Sequence, residues 1–330
     1  MMPAMYAAMS GLEAHQTMLN VTANNLANVD TIGYKAQRTT FESELSALVS
    51  GGGDQTASNG GTNPEQVGLG VEVGSIDQMM GAGSFASTGN TLDVAIQGSG
   101  FLVVGASAAT NPVTATGYKP TSVASGNAPT VINSSLNADD AIPTSLAYTR
   151  AGNLTTDSEG FLTTASGQYV MGYTTSQEGT TTLPSADESA NGAKGTATYI
   201  YIPPGSTNVA IGSNGEVTYT DENPASATYG EPCTAGYIAL ASFPNEAGLT
   251  RDAGTEWTPS ANSGAPTFGT AVSGSFADTA IESGELEQSN VDMTTEFSNM
   301  IEAERGYQAN SSVINTADQM IQTLITMAGE

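Results

Sequence analysis

Cysteine and histidine are almost missing: one of each in 330 residues. With Cys233 alone, no intramolecular disulfide can form and no cysteine cluster can hold zinc. A two-histidine metal site is excluded, and any Ser–His–Asp arrangement would have to use His15. That residue falls among small side chains in a helical pattern, which reads as a structural or surface histidine. Basic residues are scarce as well. Lys+Arg number 7 against 33 Asp+Glu, a net charge of −26. Such a chain is not expected to bind nucleic acid or an anionic membrane surface; its acidity is expected to keep it soluble. No run of about 20 apolar residues exists, so no membrane insertion is expected. The opening MMPAMYAAMSGLEAHQ lacks a basic segment before an apolar core, so no cleaved Sec-type signal peptide is expected.

Catalytic motifs are lacking too. Gly98-Ser99-Gly100 begins a G-x-G-x-x-G pattern, but Val103 stands where the third glycine is needed. Asp157-Ser158-Glu159-Gly160 lacks the spaced ligands of a calcium loop and reads as a turn. No phosphate-binding G-x-x-x-x-G-K-[ST] occurs. Cys233 has no evident base partner and reads as a small hydrophobe. Trp257 can stack on a sugar, although packing over a β body is the default for a lone tryptophan. No enzyme activity, cofactor or metal is expected.

What is present is order at the two ends. Met5, Met9, Leu12, Gln16, Leu19, Ala23 and Leu26 alternate spacings of four and three, the narrow seam of a coiled coil. Residues 4–28 are expected to form a helix about 37 Å long. Asn28, Asp30 and Gly33 then stop it, because they tolerate turn conformations. At the far end Asp292 is a plausible N-cap. Met293, Phe297, Met300, Glu304, Tyr307, Ser311, Ile314, Ala317, Ile321, Leu324 and Ala328 repeat the same spacing. Two narrow seams suit each other, antiparallel or side by side. The small residues Ala7, Ala8, Gly11, Ala14, Ala23, Ala303, Gly306 and Ala309 allow further helices to approach closely. Either the ends form a local two-helix stalk, or they complete themselves against neighbouring copies and polymerise.

The middle is turn-rich and β-like, in keeping with 38 glycines. Residues 34–48 begin β-like at Tyr34 to Phe41 and end helix-like. Residues 50–64 read as a loop. Val67, Leu69, Val71 and Val73 alternate as a strand. LDVAIQGSGFLVV (92–104) reads as a hairpin turning at Gly98–Gly100. Three strands are expected in 146–173. Asn214-Gly215 is the strongest two-residue hairpin signal, and AGYIALASF (235–243) is a further strand. Residues 244–280 read as loop. The fold class is therefore α+β: long N- and C-terminal helices pairing as a coiled-coil-like core, with a mainly antiparallel β-rich central body. The expected organisation is a helical core of 1–30 plus 290–330, a linking segment 31–91 that contacts neighbours, and a body 92–289 with insertions near 105–145 and 174–197.

These residues resemble a known family. MYAAMSGLEAHQTMLNVTANNLANVDTIGYK is similar to the start of bacterial flagellar axial proteins, the rod and hook subunits. NNLANVDTIGYK is its most specific part, with Asn24, Asn25, Asn28, Gly33 and Tyr34. SGELEQSNVDMTTEFSNMIEAERGYQANSSVINTADQMIQTL resembles the matching C-terminal segment. GGTNPEQVGLGVEVGSID, STGNTLDVAIQGSGFLVV and YTRAGNLTTDSEGFLTTASG fit the same body. Within the family, GGTNPEQVGLGV and the C-terminal segment look more like hook than distal-rod subunits, with distal rod the close alternative. A secreted β-rich adhesin or carbohydrate-binding module is a lower alternative, which leaves the seams unexplained. The resemblance implies export through the flagellum's own channel without a cleaved signal peptide. It implies a helical homopolymer in the extracellular hook or basal-body rod, transmitting torque, with rod, hook-cap and hook–filament junction proteins as partners. Met5, Met9, Leu12, Leu19, Ala23 and Leu26, and Phe297, Met300, Tyr307, Ile314, Ala317, Ile321 and Leu324, become the expected assembly residues.

Overall fold

The computed structural model describes residues 2–55, 60–105, 146–173, 198–222, 224, 229–252, 254–273 and 276–328. Its chain divides into two compact units. Unit 1 comprises Met1–Val29, Lys35–Met79 and Val291–Glu330; unit 2 comprises Asp30–Tyr34 and Met80–Asn290. The insertions expected near 105–145 and 174–197 lie, apart from Gly105, outside the described residues.

Unit 1 is built on α1 (Met2–Ala27) and α2 (Met293–Ala328), the two helices that the terminal spacing predicts. They pack antiparallel. A methyl group at Gly11 would lie 2.6 Å from the Asn310 amide, and one at Gly306 would lie 2.5 Å from the His15 ring. Asn25 hydrogen-bonds Glu296 at 3.1 Å. Partner numbers on α2 thus fall as those on α1 rise. Asp292 caps α2 as expected: its carboxylate accepts the Thr294 N–H at 2.9 Å and the Thr295 hydroxyl at 2.9 Å. Those bonds hold its carboxyl below the usual range.

Between the helices in sequence, unit 1 extends one long hairpin. Gln37–Ser43 pairs antiparallel with Val71–Gln78, and Ser46–Ser50 with Glu65–Gly68. The helix-like reading of the end of 34–48 is therefore corrected. Leu45, Leu48 and Val49 belong to an exposed β ladder, which the partner strand stabilises and local spacing does not reveal. The alternating run at 66–78 also divides in two, breaking around Leu69–Gly70. There Val71 N–H donates to Ser10 Oγ at 3.2 Å, and a methyl at Gly70 would strike that same hydroxyl.

Unit 2 is the β body. Its main sheet runs Thr207–Ile211, Glu216–Thr220, Pro232–Ile238, Tyr169–Tyr173, Phe101–Gly105, Leu146–Thr149, Glu256–Thr258 and Thr250–Arg251 in spatial order, with antiparallel neighbours. Alternation places Leu102 in one buried cluster, and Phe101 and Val103 in another. Ile238 and Leu240 join the first; Ala239 and Ala241 join the second. Trp257, 1% exposed, sits in the second cluster, so packing is its role here. The Asn214-Gly215 hairpin forms, with Ile211 opposite Val217 and Gly215 at φ 79°. Four strands, not three, occupy 146–173: Leu146–Thr149, Leu154–Thr156, Leu162–Thr164 and Tyr169–Tyr173. Residues 244–280 also hold three short strands, at Thr250–Arg251, Glu256–Thr258 and Thr267–Gly269.

One hairpin expectation fails. Val94–Gln97 does not pair with Phe101–Gly105; it pairs with Ala280–Ser283. Val94, Ala95 and Ile96 are all at most 1% exposed, so this strand is covered on both faces. Gly98 and Gly100 both take φ 123°, where a methyl would meet the Asp278 carbonyl or the Phe276 ring at 3.0 Å. The glycines carry the chain past residues 276–279 into another sheet and do not fold it back.

Burial lifts the phenols of Tyr148 and Tyr219 from 10.0 to about 12. Stability that depends on neutral phenols is complete below pH 10, where the unfolded groups ionise, and is lost as pH rises through 12. Unit 2 should therefore unfold between those values, with Trp257 fluorescence as the readout. Tyr148→Phe combined with Tyr219→Phe should move the midpoint upward. A folded protein in which all 12 tyrosines ionise near pH 10 would contradict this.

Candidate functional site

Two arrangements stand out: the face along which α1 and α2 meet, and a buried knot where the family motif enters unit 2. Along the helix pair the buried residues are small or polar. On α1 they are Ala8, Gly11, Ala14, Thr22 and Asn25; on α2, Ala303 and Ala317. Gly306 rests on the His15 ring, whose other neighbour is Phe41 at 5.7 Å. Small side chains let the two backbones approach.

The seam expected from spacing falls largely outside this line. Met5, Leu12, Leu19 and Leu26 are half-buried, while Met9 and Ala23 are exposed. On α2, Ala317 is buried and Met300, Ile314 and Ile321 are half-buried, but Phe297, Tyr307 and Leu324 are exposed. Tyr6, Ile301, Val313, Met320, Ile325 and Met327 join the exposed set, with Met327 at 72%. The helix pair spends its small residues on itself and leaves its large apolar ones outside. Ala8, Gly11 and Ala14, expected from the sequence to let further helices approach, instead face the partner helix of the same chain; their small size and spacing of three were the signal.

Asn25 is the joint of unit 1. It is 1% exposed. Its Nδ2 donates to the Gln37 carbonyl at 2.7 Å and its Oδ1 accepts the Gln37 N–H at 3.0 Å, as a strand neighbour would. Nδ2 also donates to Glu296 Oε1, so α1, α2 and the hairpin meet on one amide. Burial pushes the Glu296 carboxyl up, against the opposing bonds from Asn25 and Asn299. Asn28 finishes α1: its Nδ2 and its N–H both donate to the Asn24 carbonyl, at 2.8 and 3.2 Å. Asn24 itself is exposed.

Gly33 and Tyr34 belong to unit 2. Gly33 has φ 69°, and a methyl there would lie 2.7 Å from the Ala151 nitrogen. Only glycine fits this conformation at this approach. Its N–H donates to the Glu287 carbonyl at 2.9 Å. Tyr34, 3% exposed, lies under the Arg251 guanidinium at 4.3 Å, which also covers the Trp257 ring at 4.8 Å. Beside this clamp, Arg150 and Glu287 pair at 3.2 Å with side chains 3% and 0% exposed. Arg150 donates to the Gly98 carbonyl at 2.9 Å, and Glu287 Oε1 accepts the Gly83 N–H at 3.0 Å. The pair thus ties residues 83, 98, 150 and 287 together. Spacing gave no hint of these partners, yet in a chain with seven basic residues a buried arginine is a costly use of one. Among the described residues, no group of three His, Cys, Asp or Glu gathers to hold a metal.

Three regions match family models: residues 5–35 match Flagella basal body rod protein, residues 141–219 Flagellar hook protein FlgE/F/G D1 domain, and residues 282–327 Flagellar basal body rod FlgEFG protein C-terminal. The chain is 33% identical over 327 residues to flagellar basal-body rod protein FlgG of Bacillus subtilis (strain 168), covering 99% of each. It is 32% identical to the FlgG rod protein of Caulobacter vibrioides, covering 97% of each. The chain belongs to the flagellar rod and hook protein family. The flagellar hook protein FlgE of Borreliella burgdorferi is also similar, at 27% over 450 residues, with 99% of this chain and 100% of that one covered. The family resemblance read from the two termini therefore holds. The N-terminal match spans most of α1 through Tyr34, and the C-terminal match spans Glu287 and nearly all of α2, so the helix pair and one side of the buried knot fall within them.

Glu287→Ala would leave Arg150 buried and unpaired, at a loss of about 3–5 kcal/mol. Urea denaturation followed by Trp257 fluorescence should show it. Arg150→Met combined with Glu287→Leu should recover much of the loss. A Glu287→Ala change below about 1 kcal/mol would mean the knot does not hold unit 2.

Proposed function

We propose that this chain is a structural subunit of the flagellar rod–hook tube, of the distal-rod kind, and that its copies polymerise through their terminal helices. The single observation that supports polymerisation most is the division of the helix pair: small residues meet inside the chain, and large apolar residues stay exposed along both helices. A monomer that exposes such a stripe is built for further contact. In the proposed tube α1 and α2 form the inner wall. The subunit is exported through the flagellar export machinery without a cleaved signal peptide. Neighbouring rod, hook-cap and junction proteins are its proposed partners, and torque passes through the polymer.

The long hairpin supports a role for the segment 31–91 in contacting neighbours. Its outer strands, Ser46–Ser50 and Glu65–Gly68, are wholly exposed, with Leu48 at 60% and Val49 at 64%, and Leu45 just before them is 81% exposed. The rod relatives match end to end at the higher identities, which favours rod over the hook assignment read from GGTNPEQVGLGV. The hook remains the second reading, supported by the full-length similarity to a hook protein. Imaging a tagged copy separates them: label confined to the basal body supports rod, and label beyond the cell envelope supports hook.

Ile321→Asp tests the assembly surface. The carboxylate would sit where the proposal requires apolar contact with a neighbouring helix, at several kcal/mol if it stays ionised. The expected result is a folded, soluble, exported monomer that builds no tube and leaves cells non-motile. Ser311→Asp, at a polar position, should be milder. Normal motility with Ile321→Asp would remove the assembly role of α2.

A further inference from the structure

Methionine is concentrated where assembly is proposed: four of the 12 methionines lie in α1 and four in α2. Of these, Met9, Met293, Met320 and Met327 are exposed, whereas Met171 in unit 2 is 1% exposed. The antiparallel register gives two of them a distinct position. Opposite Gly11 stands Asn310, and opposite His15 stands Gly306. Carried back to the start of α1 at Met2, the same register ends near Gln319. The last turns of α2 therefore extend beyond α1. In that overhang Met320, Leu324 and Met327 follow at spacings of four and three, on one face, and are 52%, 51% and 72% exposed. Met320 and Leu324 also line a shallow groove with Thr316, Gln319 and Thr323.

The overhang, QMIQTLITMA, has no charged side chain, and neither has the start of α1, MPAMYAAMSGL; the nearest charge on α2 is Asp318, just before the overhang. In a chain of net charge −26, contacts made through its acidic surface bring like charges together. A neutral apolar end is the place where a second copy can dock at least electrostatic cost. This occupant rests on the polymer reading above.

We propose that Met320 and Met327 are oxidation sites of the unassembled chain, and that converting their thioethers to sulfoxides stops the next copy from docking. The oxidant is a peroxide. The sulfur lone pair attacks one peroxide oxygen, the O–O bond breaks, an S–O bond forms, and the peroxide is reduced to water as the sulfur is oxidised by two electrons. A sulfoxide is polar and accepts hydrogen bonds, so it opposes burial in an apolar contact. Subunits already in the polymer are shielded by their neighbours. Peroxide thus removes free subunits from growth and spares finished tube, and methionine sulfoxide reductases reverse it.

The test uses the full-length chain with hydrogen peroxide, peptide mass mapping and sedimentation of polymer. Met320 and Met327 should each gain one oxygen on the order of tenfold faster than Met171. The oxidised chain should lose most of its sedimenting polymer, with Trp257 fluorescence unchanged, and reductase treatment should restore it. In a chain carrying Met320→Leu and Met327→Leu, peroxide should no longer lower assembly below that variant's own untreated level. Undiminished assembly of wild type oxidised at both sites overturns the proposal, as does an equal peroxide loss in the double variant. If untreated wild type forms no polymer at any concentration, the polymer reading itself fails, and this inference with it.

Discussion

Close approach of two helix backbones is the constraint on which this structure depends. Gly306 sits on the His15 ring, Gly11 faces Asn310, and Ala8, Ala14, Ala303 and Ala317 are buried. A leucine at any of these places would push the helices apart. With its small residues committed to this contact, the chain has nowhere within the described residues to bury Phe297, Ile301, Tyr307 or Leu324. The exposure of those residues follows from the same geometry that pairs the helices. It leaves an apolar surface on the folded chain, which the proposed polymer would cover.

The buried Arg150–Glu287 pair plays the corresponding part in unit 2. Strands near the beginning of that unit, Phe85–Ser87 and Val94–Gln97, pair with strands at its end, Glu285–Glu287 and Ala280–Ser283. Glu287 also receives the N–H groups of Gly33 and Gly83. Unit 2 therefore cannot close until residue 287 is available. Contacts so distant in sequence form slowly, because the chain must be ordered before they stabilise it.

Much of this was legible in sequence where the determining interactions are local. Both helices, the Asp292 cap, the stop at Asn28–Gly33 and the Asn214-Gly215 hairpin depend on neighbours within a few residues. The hairpin expected at Gly98–Gly100 failed because the partner of Val94–Gln97 lies at 280–283, and alternation does not encode which distant strand pairs. Which stripe the two helices share with each other was misread for a related reason. The stripes Met5–Met9–Leu12 and Ala8–Gly11–Ala14 are neighbours on one helix, and hydrophobicity selects the larger residues. Backbone approach selected the smaller. Tyr34 under Arg251, and Arg150 on Glu287, join residues that no spacing rule connects.

The central claim is that one helical contact is internal and the other is reserved for neighbours. Electron cryomicroscopy of the assembled polymer tests it most directly. The account predicts that α1 and α2 remain antiparallel with Gly306 on His15, while Met9, Phe297, Tyr307 and Leu324 become covered by adjacent copies. A polymer in which these four side chains stay solvent-exposed, or in which Gly306 parts from His15 so that the small residues face other copies, would contradict it.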